Sequence, residues 1–272
     1  MLFRSLELLA TDAQTKVVAI VSKPPAPDVQ KRVIERAGAI GKPVVICFLG
    51  GDPAASAGNV HRASSLEETA RQAVALAGAR QPGGDEQSIE ALATRVCASL
   101  APSQRNLRGL YSGGTFCSEA QTIWRAAGLR VRSNAPLAEA DRLADVEASQ
   151  GHTAIDLGSD EFTVGRPHPM IDPSVRDDAL RAALKNHDLS VILLDLVLGY
   201  GAHADPAEHL TKIVADRGQD APVLVASVVG TEQDPQGRSA QVRKLEQAGF
   251  VVAPSNAQAC ELAVAIVQNA GR

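Results

Sequence analysis

Residues 107–127 read LRGLYSGGTFCSEAQTIWRAA: a short apolar strand, a tight turn on Ser112-Gly113-Gly114-Thr115, and a helix carrying Glu119, Trp124 and Arg125. A strand that turns on glycines into a helix presents free backbone N–H groups and the positive end of the helix dipole at one spot. The glycines let a ligand approach closely. The pattern is neither a P-loop nor a full dinucleotide fingerprint, since no third glycine follows at the required spacing. Two readings stay open: Ser112, Gly113, Gly114 and Thr115 bind an anion such as phosphate, or the turn is structural with Ser112 as a simple N-cap.

Working outward, the same strand–turn–helix unit recurs. From residue 107 on, five β-rich runs (107–111, 153–157, 191–197, 222–229 and 250–253) alternate with amphipathic helical stretches. This is the signature of a parallel sheet with helices on both faces, and five strands suffice for one flavodoxin-like α/β domain over 105–272. Val131-Arg132-Ser133-Asn134 and the residues to about Ser149 read as a connector. The loops at 112–115, 158–173, 199–206 and 230–238 all follow strands, so they gather at the carboxyl edge, where ligands of such sheets bind.

Upstream, residues 1–11 read as a helix, 16–21 and 44–49 as strands, and Asp28 as the N-cap of the helix between them. A polar loop starts at Gly50-Gly51-Asp52-Pro53, Ser65 and Glu68 stand at capping-box spacing, and Gln81-Pro82-Gly83-Gly84-Asp85 breaks the chain before a linker helix to about Leu100. Residues 16–51 lay over 190–230: strand, Pro/Gly turn, helix, a strand entered through proline-valine, then glycine. Residues 1–104 therefore read as a partial copy of the same domain, front half missing, plus a linker helix. Two strands alone leave exposed edges, so this part is expected to complete its sheet against another chain or to belong to a longer protein.

Composition sets the class. With 45% hydrophobic and 3% aromatic residues, the core of this 272-residue chain is Ala, Val, Leu and Ile, as in helix-covered parallel sheets. A net charge of −4 gives no electrostatic case for nucleic acid or an anionic membrane. Cys47, Cys97, Cys117 and Cys260 are scattered without a CxxC pair, which argues against zinc, any other bound metal and a disulfide framework, and fits a reducing cytoplasm. Trp124, Cys47, Cys97 and Cys260 read as core, and Cys117 as a packing residue in the first turn of the anion-site helix. No signal peptide stands out, and no apolar run reaches the roughly 20 residues of a membrane span.

The order RGLYSGGTFCSEA, DLGSDEFTVGRPHPMIDP, VILLDLVLGYGAHADP and PVLVASVVGTEQDPQ resembles the FdrA family, relatives of the succinyl-CoA synthetase α subunit and other NDP-forming acyl-CoA synthetases. SKPPAPDVQKRVIERA and GKPVVICFLGG look like the preceding domain of that family. The resemblance implies a subunit that moves an activated acyl or carbamoyl group at a phosphate-binding strand edge. The oxamate carbamoyltransferase type is the first reading, an NDP-forming CoA ligase the second, and a non-catalytic scaffold subunit the third. CoA, a nucleotide or carbamoyl phosphate are the ligands it suggests, with a small anionic substrate and a homo- or hetero-oligomer in which another chain supplies the absent CoA-binding part. The family's phosphohistidine loop corresponds to GTEQDPQGRSAQVRKLEQAG, which contains no histidine.

The residues offer other chemistry. In GRPHPMIDP, Pro167 and Pro169 fix the backbone around His168. Arg166 can fork onto a carboxylate or phosphate, and Asp172 either orients the histidine or caps the next helix. His168, Arg166 and Asp172 are the candidate catalytic set; the alternative is a rigid loop whose histidine bonds a neighbouring domain. Asp160, Asp195, His203 and Asp205 are possible site-lining residues. Asp195 stands inside an apolar strand, where a charge is costly unless paired. The others have the bland alternative of exposed loop positions.

Overall fold

The computed structural model describes residues 2–51, 56–80, 88–147 and 151–270. The expected break at 81–85, Asp52-Pro53 of the expected loop and the end of the connector at 148–149 lie outside the described residues. The chain divides into two units, residues 1–86 and 87–272.

The first unit runs α1 (Leu2–Thr11), β1 (Val18–Ser22), α2 (Pro27–Gly38), β2 (Val44–Phe48), β3 (Val60–Arg62) and α3 (Leu66–Leu76). Its three strands are parallel in the order β1-β2-β3. Every residue of β2 is buried. Val44, Ile46 and Phe48 pack with Leu6 of α1 and Val33 of α2, while Val45 and Cys47 pack with Leu66 and Ala73 of α3. The strand β3 is an addition to the sequence reading: three residues within a polar loop give no periodic signal. Helix α2 starts at Pro27 with Ala26 as N-cap, so Asp28 lies in its first turn and is not the cap. Proline preset for the first helical position decides this, since it needs no N–H there. The expected cap at Ser65 is present, with its Oγ accepting from Glu68 N–H. The Glu68 carboxylate reaches one residue further back, to Ser64 N–H.

The second unit runs α4 (Ile89–Cys97), β4 (Asn106–Tyr111), α5 (Gly114–Ala126), β5 (Val131–Ser133), β6 (His152–Asp156), a single helical turn α6 (Asp160–Thr163), α7 (Asp177–Leu184) and β7 (Leu189–Val197). It continues through α8 (Pro206–Val214), β8 (Val223–Val229), α9 (Arg238–Gln247), β9 (Val251–Ala253) and α10 (Asn256–Ala270). All six strands are parallel, in the order β5-β6-β4-β7-β8-β9. Without β5 the order is the flavodoxin one, 2-1-3-4-5, and the three-residue β5 extends it at one edge. The helix expected to be a linker, α4, packs on α10 inside this unit.

Strand parity explains the layers. In β7, Val191 and Leu193 face α4, α5 and α10, while Ile192, Leu194 and Leu196 face α7, α8 and α9. On the first face the sole tryptophan, Trp124, is fully buried with its indole N–H on Cys260 O at 3.1 Å. Gly109 of β4 makes room for it, since a Cβ there would fall 2.4 Å from Tyr111 Cε2 and 2.9 Å from Trp124 Cη2. The strand order reverses between β4 and β7, so the crevice of this fold opens at their carboxyl ends. Among the described residues no helix is long and apolar enough to cross a membrane.

Gly109→Ala overpacks this face and should lower unfolding stability by about 1–3 kcal/mol. Urea unfolding followed by Trp124 fluorescence checks it, and an unchanged midpoint would refute the packing account. A second outcome concerns His152, whose Nδ1 accepts from Leu107 N–H and whose burial holds the imidazole below its ordinary value of 6.5. Because the folded state binds the proton less well, this contribution is complete above about pH 6.5 and fades as pH falls below it. The unfolding midpoint should therefore drop as pH falls below about 6.5, with a shallower slope in His152→Gln.

Candidate functional site

Asp195, fully buried near the end of β7, lies beside the turn that follows β4. Its Oδ1 accepts from Ser112 N–H at 2.7 Å and its Oδ2 from Gly113 N–H at 2.8 Å. Arg176, also buried, donates through Nη1 to the Asp195 carbonyl at 2.8 Å. Its Nη2 donates to Asp195 Oδ1 at 3.1 Å and to Ser112 Oγ. Burial pulls the guanidinium below its ordinary value, and the Asp195 carboxylate opposes that pull. The first two N–H groups of the Ser-Gly-Gly-Thr turn are thus held by a carboxylate of the chain itself.

What remains open to solvent is the start of α5. Thr115 is exposed and Gly114 half-buried, and the first intrahelical bond runs from Cys117 N–H to Gly113 O. The N–H groups of Gly114, Thr115 and Phe116 precede it, at the positive end of the dipole. A second carboxylate flanks this end. Asp156 closes β6, and a Cβ on Gly114 would fall 2.6 Å from its Oδ2. Asn134, just past β5, holds the Asp156 backbone through a pair of hydrogen bonds at 2.9 Å.

His168 reaches the same place from the loop after α6. Its Nδ1 accepts from Met170 N–H at 3.2 Å, which leaves the proton of the neutral ring on Nε2. Nε2 points at Gly158. A Cβ there would lie 2.6 Å from His168 Nε2, 2.6 Å from Ser112 O and 3.3 Å from Asp156 Oδ1. The imidazole, the turn carbonyl and the Asp156 carboxylate therefore close around one glycine.

Of the residues expected at the site, Ser112, Gly113, Gly114, Asp195 and His168 come together, and Thr115 lies at their solvent side. Arg166 is exposed on the His168 loop, its backbone N–H on Thr163 O. Asp160 is exposed in the first turn of α6. Ser174, through its hydroxyl and then its backbone N–H, lowers the pKa of Asp172, which accepts from that N–H and so caps the turn at Pro173–Arg176. Asp205 caps α8 through Glu208 N–H and also holds Gln241 and Lys244. His203 is tied through its backbone to Met170 O and to Gln236. Asp156 and Arg176 were not singled out in the sequence. An acidic residue closing an apolar strand was a usable signal for Asp156; Arg176, in PSVRDDALRAA, resembles a solvated helix face. Among the described residues no cluster of three His, Cys, Asp or Glu side chains gathers to hold a metal.

Comparison with known proteins adds the following. The CoA-ligase family profile matches residues 110–266. YahF of Escherichia coli (strain K12), itself described as uncharacterized, is 37% identical over 265 residues, covering 94% of this chain and 51% of YahF. Among solved structures, the dinucleotide-forming acetyl-coenzyme A synthetase 1 of Ca. Korarchaeum cryptofilum, in complex with phosphate and ADP, aligns with a TM-score of 0.45 at 15% identity. The alignment covers 98% of this chain and 56% of that one. The Methanosaeta concilii ATP citrate lyase, in complex with (3S)-citryl-CoA, aligns at 0.39 and 16%, covering 98% and 36%. The chain spans about half the length of the curated relative it matches.

Removing the cation from the buried pair should be costly. Arg176→Met leaves Asp195 without its guanidinium, and the second unit is expected to lose about 3–5 kcal/mol. Urea unfolding by Trp124 fluorescence measures this. A loss below about 1 kcal/mol, the range of exposed pairs, would show that Arg176 does not hold the turn.

Proposed function

Since the chain belongs to the CoA-ligase family, we propose that its second unit is the group-transfer module of an FdrA-type protein, moving an activated carbamoyl or acyl group at the carboxyl edge of the sheet. The observation that carries this reading is the convergence of His168 Nε2, the Asp156 carboxylate and the start of α5. A phosphate-bearing donor such as carbamoyl phosphate sets its phosphoryl oxygens against the N–H groups of Gly114, Thr115 and Phe116. Arg166, exposed on the same loop as His168, supplies a second positive group for an anionic acceptor such as oxamate. In the transfer, the acceptor nitrogen forms a bond to the carbamoyl carbon while the bond from that carbon to the phosphate oxygen breaks. His168 Nε2–H donates a hydrogen bond to the departing phosphate and keeps its proton, while the phosphate takes up the proton that the acceptor nitrogen releases.

Two observations bear on the rival readings. The loop and helix after β8, residues 230–249, contain no histidine, which counts against a phosphohistidine relay of the NDP-forming ligase kind at that position. The occupation of the Ser112 and Gly113 N–H groups by Asp195 favours a non-catalytic scaffold.

Calorimetric titration of the full chain with carbamoyl phosphate, oxamate, CoA and ATP separates the three. The transferase reading expects saturable carbamoyl phosphate binding, weakened about tenfold to a hundredfold by His168→Ala, the range for a lost hydrogen bond to a charged group. Arg166→Ala should weaken oxamate binding and leave carbamoyl phosphate nearly unchanged. Binding of CoA or ATP alone would return the chain to the ligase reading, and silence from all four would make it a scaffold.

A further inference from the structure

The stretch GTEQDPQGR, residues 230–238 after β8, lies at the carboxyl edge and takes no part in the proposed chemistry. Its own side chains shape it. Asp234 Oδ2 accepts from Thr231 N–H and from Thr231 Oγ1, which closes the loop into a turn. Gly230 leaves the room for this, since a Cβ there would fall 2.7 Å from Leu198 Cβ and 3.0 Å from Asp234 Oδ2. Gly237 N–H then donates to Asp234 O at 2.9 Å. The turn so built presents Gln236, 9% exposed, to the loop that follows β7.

Gln236 Oε1 accepts from Gly199 N–H at 3.2 Å, while Nε2 donates to Gly199 O at 3.0 Å and to His203 O at 3.1 Å. One amide therefore clamps residues 199 and 203 together, with both its donors used. Its orientation is fixed, because a flipped amide would set its nitrogen against an N–H and its oxygen against two carbonyls. The hold passes on through the backbone. His203 N–H donates to Met170 O at 2.8 Å, and Met170 N–H is the donor on His168 Nδ1. Other backbone bonds of the His168 loop run within it: Arg166 N–H to Thr163 O, and Ile171 and Asp172 N–H to His168 O. Met170 O is thus the loop's tie to its neighbour, and Met170 N–H its tie to the imidazole.

We infer that Gln236 is a positioning residue, which through His203 and Met170 holds the His168 ring against Gly158 with its proton on Nε2. The role rests on the reading of His168 as the hydrogen-bond donor to phosphate, and extends it to a side chain bonded to neither. A ring held at Nδ1 by one 3.2 Å bond turns away when Met170 shifts, because such a bond weakens steeply with distance and angle.

The test replaces Gln236 in the full chain. Gln236→Met keeps the volume and removes all three bonds, whereas Gln236→Glu keeps an acceptor for Gly199 N–H and loses both donors. With either, amide exchange at Met170 and His203 should quicken about threefold to tenfold, the range for a lost hydrogen bond, and Gly199 should follow only in the Met variant. The nitrogen NMR signals of the His168 ring, set apart by the proton on Nε2, should draw together as the second tautomer becomes populated. Emission of the buried Trp124 reports the fold and should not change. Gln236→Met should also weaken carbamoyl phosphate binding about threefold to tenfold, and add nothing in a His168→Ala background, because it acts through that ring. If the unaltered chain does not bind carbamoyl phosphate, the transferase reading fails and the ring and amide signals decide alone, since they need no ligand. Unchanged His168 signals with the Gly199 amide released, a full effect of Gln236→Met on binding without His168, or loss of folded Trp124 emission in both variants would each overturn the proposal.

Discussion

The carboxylate of Asp195 has no contact with solvent, and the carboxyl edge of the second sheet is arranged around its neutralisation. An ion of this kind costs several kcal/mol to bury, and its surroundings must return that cost in hydrogen bonds. Two come from the backbone at Ser112 and Gly113, and the rest from Arg176. The consequence is geometric. β4 and β7 are locked at the point where strand order reverses, which sets the direction in which α5 leaves the sheet. Arg176 follows His168 by eight residues, so the same network anchors the loop that brings the imidazole in. Gln236 ties the neighbouring loop in turn, bonding Gly199 and His203.

Much of this was legible in the sequence because apolar runs of five or more residues between glycine and proline turns leave little choice but a parallel sheet. The strands that were not legible, β3 (Val-His-Arg) and β5 (Val-Arg-Ser), hold one apolar residue each, whereas the equally short β9 is apolar throughout. At the site, the prolines around His168 marked a fixed backbone, and Asp195 declared itself as a charge in an apolar strand. Its partner was hidden. Arg176 sits in a stretch whose spacing suits a solvated helix face, and only the tertiary arrangement turns it inward. Asp172 and Asp205 look like site carboxylates in one dimension, yet each caps a helical turn through a backbone N–H, and Asp205 also holds Gln241 and Lys244. Aspartate serves both purposes, and a proline immediately after it is the local sign of the second.

The two units show how separable scaffold and site are. The first keeps the parity that buries Val18 and Ile20 as Ile192 and Leu194 are buried, which is all that sheet packing requires. Where the second unit places Asp195, the first places Val21. Without that charge there is no reason for a buried arginine or for a turn whose N–H groups converge on a carboxylate.

On the proposed reading, the same charges decide how an anion is received in the second unit. The positive end of α5 carries roughly half an elementary charge, and Asp156 and Asp195 stand on either side of it. Arg176 neutralises Asp195, so of the two it is Asp156 that sets a carboxylate beside that terminus. Selectivity then falls to directed bonds: the N–H groups of Gly114 to Phe116, which have fixed directions, and the Nε2 proton of His168, which the Nδ1 contact with Met170 holds in place. A site built this way discriminates by shape and proton position more than by net charge.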